Sequence, residues 1–372
     1  MTASNEQSQK KRKVFYVQPI LAGYRAPIIE ALAEKFEVTA FHDNTDAQKQ
    51  GHKPTTSESF STIPAPSTPF LGNRIFYQKN IIKNLIKTKP EAVITFANPR
   101  YLSFWLLMIT SYMLKIKFFS HGQGLYSYTK PSQLRKLMYR AICKYSTKYV
   151  CYTELSKSSM FDAGVPSEKL ITIQNSLQLK THVEPDQKTY KEPGVLFIGR
   201  LRDGCRLDEL IQAVHTCRIN GMPMELHVIG SGELETSFKT HHVGFEWIHW
   251  YGAIHDEIRI AEISKQCRIG CYPGDAGLSV VHLFSLGLPP LVHRKIEDHM
   301  GPEPSYIIDN KNGFLFDKNG PTEELSSTLN TIWQLSTLEL NTIATASYAT
   351  YLSLNAPPMG DQFVQLVLDN TN

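Results

Sequence analysis

Apolar positions along this chain fall into two series of short runs, separated by segments with a one-sided apolar pattern. The first run, KVFYVQPI (13–20), is β-branched and aromatic and ends in a proline, as a buried parallel strand does. LAGYRAPIIEALAEKF then turns at Gly23 and predicts a helix from near Pro27, with Ile28, Ile29, Leu32 and Phe36 on one face. EVTAFHD predicts the next strand, and AVITFA (92–97), IKFFSHG (116–122), KYVCYT (148–153) and LITIQNS (170–176) predict four more. Helical patterns over 76–88, 101–114, 131–145 and 154–163 lie among them. Residues 44–70, rich in Thr, Ser and Pro, read as an irregular loop.

Residues 178–193 are polar and patternless and read as a linker. A second series follows: GVLFIGR then LDELIQAVHTCRI, MELHVIG then ELETSFKTH, WIHWYGAI then DEIRIAEISKQC, RIGCYPG then LSVVHLFSLG, and finally PPLVHR. Strand and helix in strict alternation predict an α/β chain with parallel sheets covered on both faces. Two series predict two Rossmann-like doubly wound domains, 13–177 and 194–350, facing each other across a cleft. Ligands are then expected outside the carboxyl ends of the strands. Residues 1–12 read as a frayed polar tail, with no apolar core of a signal peptide.

A length of 372 residues, 42% of them apolar, suits about two domains and excludes global disorder. Six scattered cysteines without a CxxC pair argue against a disulfide framework and a structural zinc site, and fit a reducing, cytoplasmic setting. The longest uncharged apolar stretch, Tyr101 to Leu114, is shorter than the ~20 residues of a spanning helix and reads as a buried helix. Charge adds an asymmetry. Through Lys180 there are 25 basic against 11 acidic side chains, a balance of +14, and the remainder holds 14 against 24, or −10. The first domain is therefore expected to meet something anionic, with the inner face of a membrane a candidate. The basic residues are spread over many elements without aromatic interleaving, which argues against nucleic acid.

Four loops of the second series follow strands and open helices, where unpaired backbone N–H groups favour anions. GRLRDGCRLDEL brings Gly199, Arg200 and Arg206, two guanidiniums suited to a diphosphate or, equally, to pairing with Asp203 and Asp208. GSGELE contributes Gly230 and Gly232, and YGAIHDEI contributes Gly252; either could be turn geometry alone. YPGDAGLSVVHLFSLGLPP carries Asp275, Gly277, Leu278 and, one turn into its helix, His282.

The order and spacing of these loops resemble the group 1 glycosyltransferases, family 4 of the glycosyltransferases, with the GT-B fold. GVLFIGRL, ELHVIGSGELE, IHWYGAI, CYPGDAGLSVVHLFSLGLPPLV and YIIDNKNGFLF are similar to successive motifs of that family's donor domain. GYRAP, SHGQG (120–124) and VCYTELSKSSMFDAGVPSEKLITIQNSL extend the resemblance through the first half. MGDQFVQLV looks like the helix, within 351–372, that returns to the first domain. The resemblance implies that Arg200, supported by Arg206, holds the donor diphosphate, and that His121 lies near the transferred sugar. The resembled family shows two glutamates with seven residues between them, where this chain has Gly274, with Asp275 beside it, and His282. His282 would take the place of the carboxylate that holds the ribose hydroxyls, accepting one hydrogen bond where a carboxylate accepts two. Asp298 and Glu303 lie in a loop similar to one that binds sugar hydroxyls in related transferases, or are simply solvated.

These readings lead to a glycosyltransferase that uses a nucleotide sugar and acts on a glycan or lipid-linked acceptor in surface polysaccharide synthesis, and the resemblance implies that it retains anomeric configuration. No Asp-x-Asp pair occurs, and no metal or resident cofactor is expected. An inactive nucleotide-sugar or polysaccharide binding protein is the alternative, and an epimerase of the same fold a third.

Overall fold

Alternating apolar strands and one-sided helices close here into two parallel sheets, each with its own core. The computed structural model describes residues 11–43, 58–126, 130–318 and 322–371. The chain divides into two units: Met1–Leu125, Ser132–Ile173 and Pro358–Asn372 form the first, Tyr126–Pro131 and Gln174–Pro357 the second. Most of the tail assigned to 1–12, and residues 44–57 of the expected loop, lie outside the described residues.

In the first unit, β1 (Lys13–Val17) leads through α1 (Ala26–Lys35) to β2 (Glu37–His42) and β3 (Ser61–Pro64). A hairpin of β4 (Ser67–Phe70) and β5 (Ile75–Gln78) precedes α2 (Ile81–Thr88), β6 (Ala92–Phe96) and α3 (Leu102–Met113). Then come β7 (Lys117–Gly122), α4 (Gln133–Tyr145), β8 (Lys148–Cys151), α5 (Glu154–Asp162) and β9 (Leu170–Thr172). The sheet order is β3-β2-β1-β6-β7-β8-β9, parallel throughout. Three local expectations are corrected. Residues 61–64 and 67–70 are strands rather than loop, because β3 finds the free edge of β2. The helix expected from 76 begins at Ile81, since the hairpin takes 75–78 and Asn80 turns the chain with φ of 68°. Finally, α3 is not wholly buried. It buries Phe104, Leu107 and Met108 but leaves Leu102, Leu106, Ile109 and Met113 exposed.

The second unit runs β10 (Gly194–Ile198), α6 (Leu207–Ile219), β11 (Glu225–Ile229), α7 (Glu235–His241), β12 (Ile248–Gly252) and α8 (Glu257–Ser264). It continues with β13 (Cys267–Cys271), α9 (Ser279–Ser285), β14 (Pro290–His293), β15 (Phe314–Phe316), α10 (Thr322–Gln334) and α11 (Thr337–Leu354). Its parallel sheet has the order β12-β11-β10-β13-β14-β15. Counted within the sheet this is 3-2-1-4-5-6, the doubly wound Rossmann order, whose direction reverses between β10 and β13. In the first unit the reversal falls between β1 and β6.

Residues 178–193 belong to the second unit rather than to a free linker. Their polarity hides two anchors, Val183 and Tyr190, each 1% exposed. The Val183 N–H donates to the Ser285 carbonyl at 2.9 Å and the Tyr190 hydroxyl to that of Gly287 at 2.8 Å. The boundary drawn at 350 falls inside α11, and a separate helix, α12 (Met359–Thr371), packs on α1 in the first unit. Phe363, Leu366 and Val367 of α12 join Ile28, Ile29 and Leu32 in one core. Each such side chain contributes ~1.5–3 kcal/mol by leaving water.

Candidate functional site

At the reversal point of the second sheet, the loops leaving β10, β11 and β13 are zipped together. Gly199 N–H donates to Ile229 O at 3.0 Å, Leu201 N–H to Ser231 O at 3.0 Å, and Asp275 N–H to Gly204 O at 2.9 Å. Two glycines make this approach possible. A Cβ on Gly230, at φ of +146°, would stand 1.8 Å from Gly199 O, and one on Gly274 would stand 2.0 Å from Gly204 O. Gly232 is similarly pressed against Leu201 O, and the Gly252 carbonyl accepts from Gly230 N–H at 2.8 Å. Gly199, Gly230, Gly232 and Gly252 therefore build the scaffold that carries the charged side chains.

Arg200 is 44% exposed and meets Glu233 at 3.5 Å. Arg206 stands before α6 at φ of 53°, its guanidinium bonded to Glu209. Its Nη1 is buried with no hydrogen-bond partner among the described residues. Neither arginine pairs with the aspartates expected from sequence, because these are taken: Asp208 meets His242 at 2.8 Å and Asp203 accepts from Gly204 N–H at 3.0 Å.

Two further cations were not singled out from the sequence. Arg202 Nη2 donates to Asp275 O at 3.4 Å, and Lys318 Nζ reaches Asp275 Oδ1 at 3.3 Å and Asp298 Oδ2 at 3.4 Å. Lys318 follows the strand FLF as Arg200 follows GVLFI, so its strand-end position was a usable signal. Burial opposes ionisation of Asp298, but Lys295 and Lys318 hold its carboxyl below the ordinary range. Glu303, 2% exposed, accepts from Asn175 Nδ2. Both loop carboxylates expected to bind sugar hydroxyls are thus already engaged, by lysines in one case and a buried amide in the other.

Beneath Ala276 lie two stacked imidazoles, His293 at the end of β14 and His299, with ring centroids 3.7 Å apart and planes at 5°. His299 Nε2–H donates to His293 O at 2.8 Å, so its Nδ1 is the acceptor for Ala276 N–H at 3.2 Å. Burial, then the neighbouring imidazole, Lys318 and Arg206, hold His293 far below an ordinary imidazole; burial likewise depresses His299. The neutral pair thus pins the loop that bears Asp275, Gly277 and Leu278.

His282, like Ser279, is a partly exposed member of α9, and it stands between buried Val280, Val281, Leu283 and Phe284. Desolvation by the side chains packed around the ring keeps the imidazole neutral, pushing its pKa down to about 4. Gly277 is buried near Met300 and Glu303, and Leu278 precedes α9 half-buried.

The first unit carries a separate polar set at its own reversal point. His121, 1% exposed, is the last residue but one of β7, with Nδ1 2.9 Å from the Tyr152 hydroxyl and Nε2 3.3 Å from Gln18 Nε2. Burial and then the Arg25 charge push its pKa well down, so it is a neutral, fixed ring with both nitrogens engaged. Arg25, not singled out in the sequence reading beyond its place in GYRAP, is itself 5% exposed and donates to the Tyr152 hydroxyl at 3.2 Å. Gly23 opens the short turn Gly23–Arg25 of this unit, with Gly23 and Tyr24 exposed and Arg25 buried.

Residues 180–347 match the family model described as Glycosyl transferases group 1. No curated protein matches the chain by sequence. Among solved structures the chain is similar to Anabaena HepE in complex with UDP-glucose, at 15% identity over 96% of this chain and 99% of that one, with a TM-score of 0.65. It is similar to S. aureus TarM in complex with Fondaparinux, alpha-GlcNAc-glycerol and UDP, at 10% identity over 97% and 100%, with a TM-score of 0.65. A third is WaaG, a glycosyltransferase involved in lipopolysaccharide biosynthesis, at 14% identity over 95% and 99%, with a TM-score of 0.63. At such identities the likeness shows the fold, two Rossmann-like domains of the GT-B type.

Proposed function

We propose that this chain is a glycosyltransferase whose second unit holds a nucleoside diphosphate sugar and whose first unit holds the acceptor. The observation that carries the reading is the gathering of cations at the reversal point of β10 and β13. Arg202 and Lys318 meet at Asp275, and Arg206 keeps a buried nitrogen without a partner. The family match over 180–347 and the fold shared with proteins solved with UDP or UDP-glucose support it.

In the proposed reaction an acceptor hydroxyl bonds to the anomeric carbon as the sugar–phosphate bond breaks. The hydroxyl proton passes to the departing phosphate oxygen, and the nucleoside diphosphate leaves with the developing charge. Stabilising that charge is the main demand, and fixed guanidiniums meet it without solvent reorganisation. Attack and departure on one face retain configuration. No residue of the set is a free nucleophile poised for a covalent intermediate, and no resident metal enters the scheme. His121 would serve as a neutral ring that fixes its neighbours, and His282 would accept one hydroxyl where the family uses a glutamate. The family 4 assignment and this variant signature belong to the same proposal.

A panel of UDP-, GDP-, dTDP- and ADP-sugars scored by thermal shift tests the reading. The true donor at 100 times its Kd should stabilise the protein by ~2.7 kcal/mol. No shift with any donor overturns it, and binding without release of nucleoside diphosphate favours the binding-only alternative suggested by the missing glutamate pair.

For the acceptor we propose a lipid-linked glycan of a surface polysaccharide, met at an anionic cytoplasmic membrane face. No helix among the described residues is long and apolar enough to cross a membrane. Instead α3 exposes Leu102, Leu106, Ile109 and Met113 at helical spacing. It packs beside α2 and α4, which carry Lys83, Lys87, Arg135, Lys136, Arg140 and Lys144; none of the three helices has an Asp or Glu. Each cation near anionic lipid is worth ~1 kcal/mol within a Debye length. Flotation should show binding to phosphatidylglycerol vesicles at low salt that weakens by about 0.5 M salt, where screening is strong. Equal binding to neutral vesicles would assign the contact to the apolar face of α3 alone, and no binding would favour a soluble acceptor.

A further inference from the structure

We propose that Glu225, His227 and His249 form a Zn²⁺ site on the edge of the second unit's sheet. The parallel pairing of β11 with β12 sets His227 opposite His249, and Glu225 lies two residues earlier on the same face of β11. The two rings lie 4.7 Å apart between centroids. Glu225 Oε2 is 3.1 Å from His249 Nε2 and 3.9 Å from His227 Nε2, and one ligand atom from each residue falls within 4.8 Å of the others. Nitrogen and oxygen ligands at ~2.0–2.2 Å around tetrahedral zinc stand about 3.4 Å from one another, so small side-chain rotations suffice.

His227 supplies the independent observation. Its side chain is 1% exposed, and Nε2 is buried without a hydrogen-bond partner among the described residues. The other nitrogen, Nδ1, is held by the Tyr251 hydroxyl at 2.9 Å. One nitrogen anchored and the other left bare toward a carboxylate is how outer partners orient a metal-binding imidazole. A buried polar atom without a partner is unfavourable, and a cation satisfies it. Glu225 and His249 are 40% and 37% exposed, which opens a path from solvent. Two imidazoles and one carboxylate suit zinc better than magnesium or calcium, and leave the fourth position to water.

The site uses no cysteine, so the cysteine spacing that argued against structural zinc does not bear on it. His227 lies three residues before Gly230, about 10 Å along the strand from the donor loops at 3.3 Å per residue. The ion would therefore clamp edge strand β12 to β11, independently of the proposed transfer.

Calorimetric titration of ZnCl2 into EDTA-treated, dialysed full-length protein under a phosphine reductant tests this. One equivalent should bind and raise the melting temperature, and MgCl2 should do neither. The exposed-ligand variants Glu225→Gln and His249→Gln should each weaken binding at least about tenfold, and Tyr251→Phe by about 10–100-fold through the lost orientation of His227. No zinc binding by the parent, or parent-like isotherms in Glu225→Gln and His249→Gln, would overturn the site.

Discussion

Arg200→Ala is expected to lower kcat/KM for the donor by about 30- to 1,000-fold, or ~2–4 kcal/mol of transition-state stabilisation. The present partner of Arg200 does not stand in the way. Its contact with Glu233 at 3.5 Å is exposed, and such pairs are worth only ~0–1 kcal/mol. The guanidinium can therefore leave Glu233 for a phosphate at little cost, and the variant should melt close to the parent. If the contact strengthens as the diphosphate departs, kcat falls together with kcat/KM. A rise in KM alone would make Arg200 a ground-state anchor, and unchanged kinetics would remove it from the site. Arg206→Ala should differ, because it also frees the Glu209 carboxylate and alters the start of α6.

Acid should be the most damaging change of solvent. His121, His282, His293 and His299 are all held neutral in the fold, chiefly by burial. Each has an unfolded pKa of ~6.5 and a lower folded one, so below pH ~6.5 the unfolded chain takes up protons that the folded chain refuses. Stability is then fully present above pH ~6.5 and is lost as pH falls, by up to ~1.4 kcal/mol per pH unit for each group. For His282 and His299 the window extends down to about 4. Domains typically hold ~5–15 kcal/mol, so most of the margin should be gone before pH ~4. Melting temperatures recorded from pH 7.5 downward should fall steeply below ~6.5. His293→Leu should flatten that fall, since both ring nitrogens of His293 lack partners among the described residues and an apolar replacement strands nothing. A flat profile for the parent would mean these rings are not held neutral.

The alternating runs from Gly194 onward were legible because strands buried on both faces read as continuous apolar stretches, and each stands before a one-sided helix. The hairpin of β4 and β5 was not, because its strands carry Pro69 and exposed polar residues and depend on pairing with each other. The linker placed at 178–193 failed for a related reason. Two buried side chains, Val183 and Tyr190, fix a segment whose average is polar. In α3, composition alone suggested full burial, yet its apolar residues divide between a core face and an exposed one.

The strand-end arginines were visible as motif residues, but their partners were not. Glu209 and Glu233 are reached by helix geometry and by loops brought together through glycines, neither of which sequence adjacency to Asp203 or Asp208 reveals. Likewise His227 and His249 are 22 residues apart, and only the register of β11 on β12 brings them together.

The central claim is that the cations at the reversal point of the second sheet hold the diphosphate of an activated sugar. Calorimetric titration of the donor chosen by the thermal-shift panel, into the parent and into Arg200→Ala/Arg206→Ala, tests it most directly. The account predicts one donor per parent chain and about 30- to 1,000-fold weaker binding in the double variant, ~1–2 kcal/mol being lost with each charge-assisted contact. Equal affinity of the two proteins for the donor, with the variant folded, would contradict it.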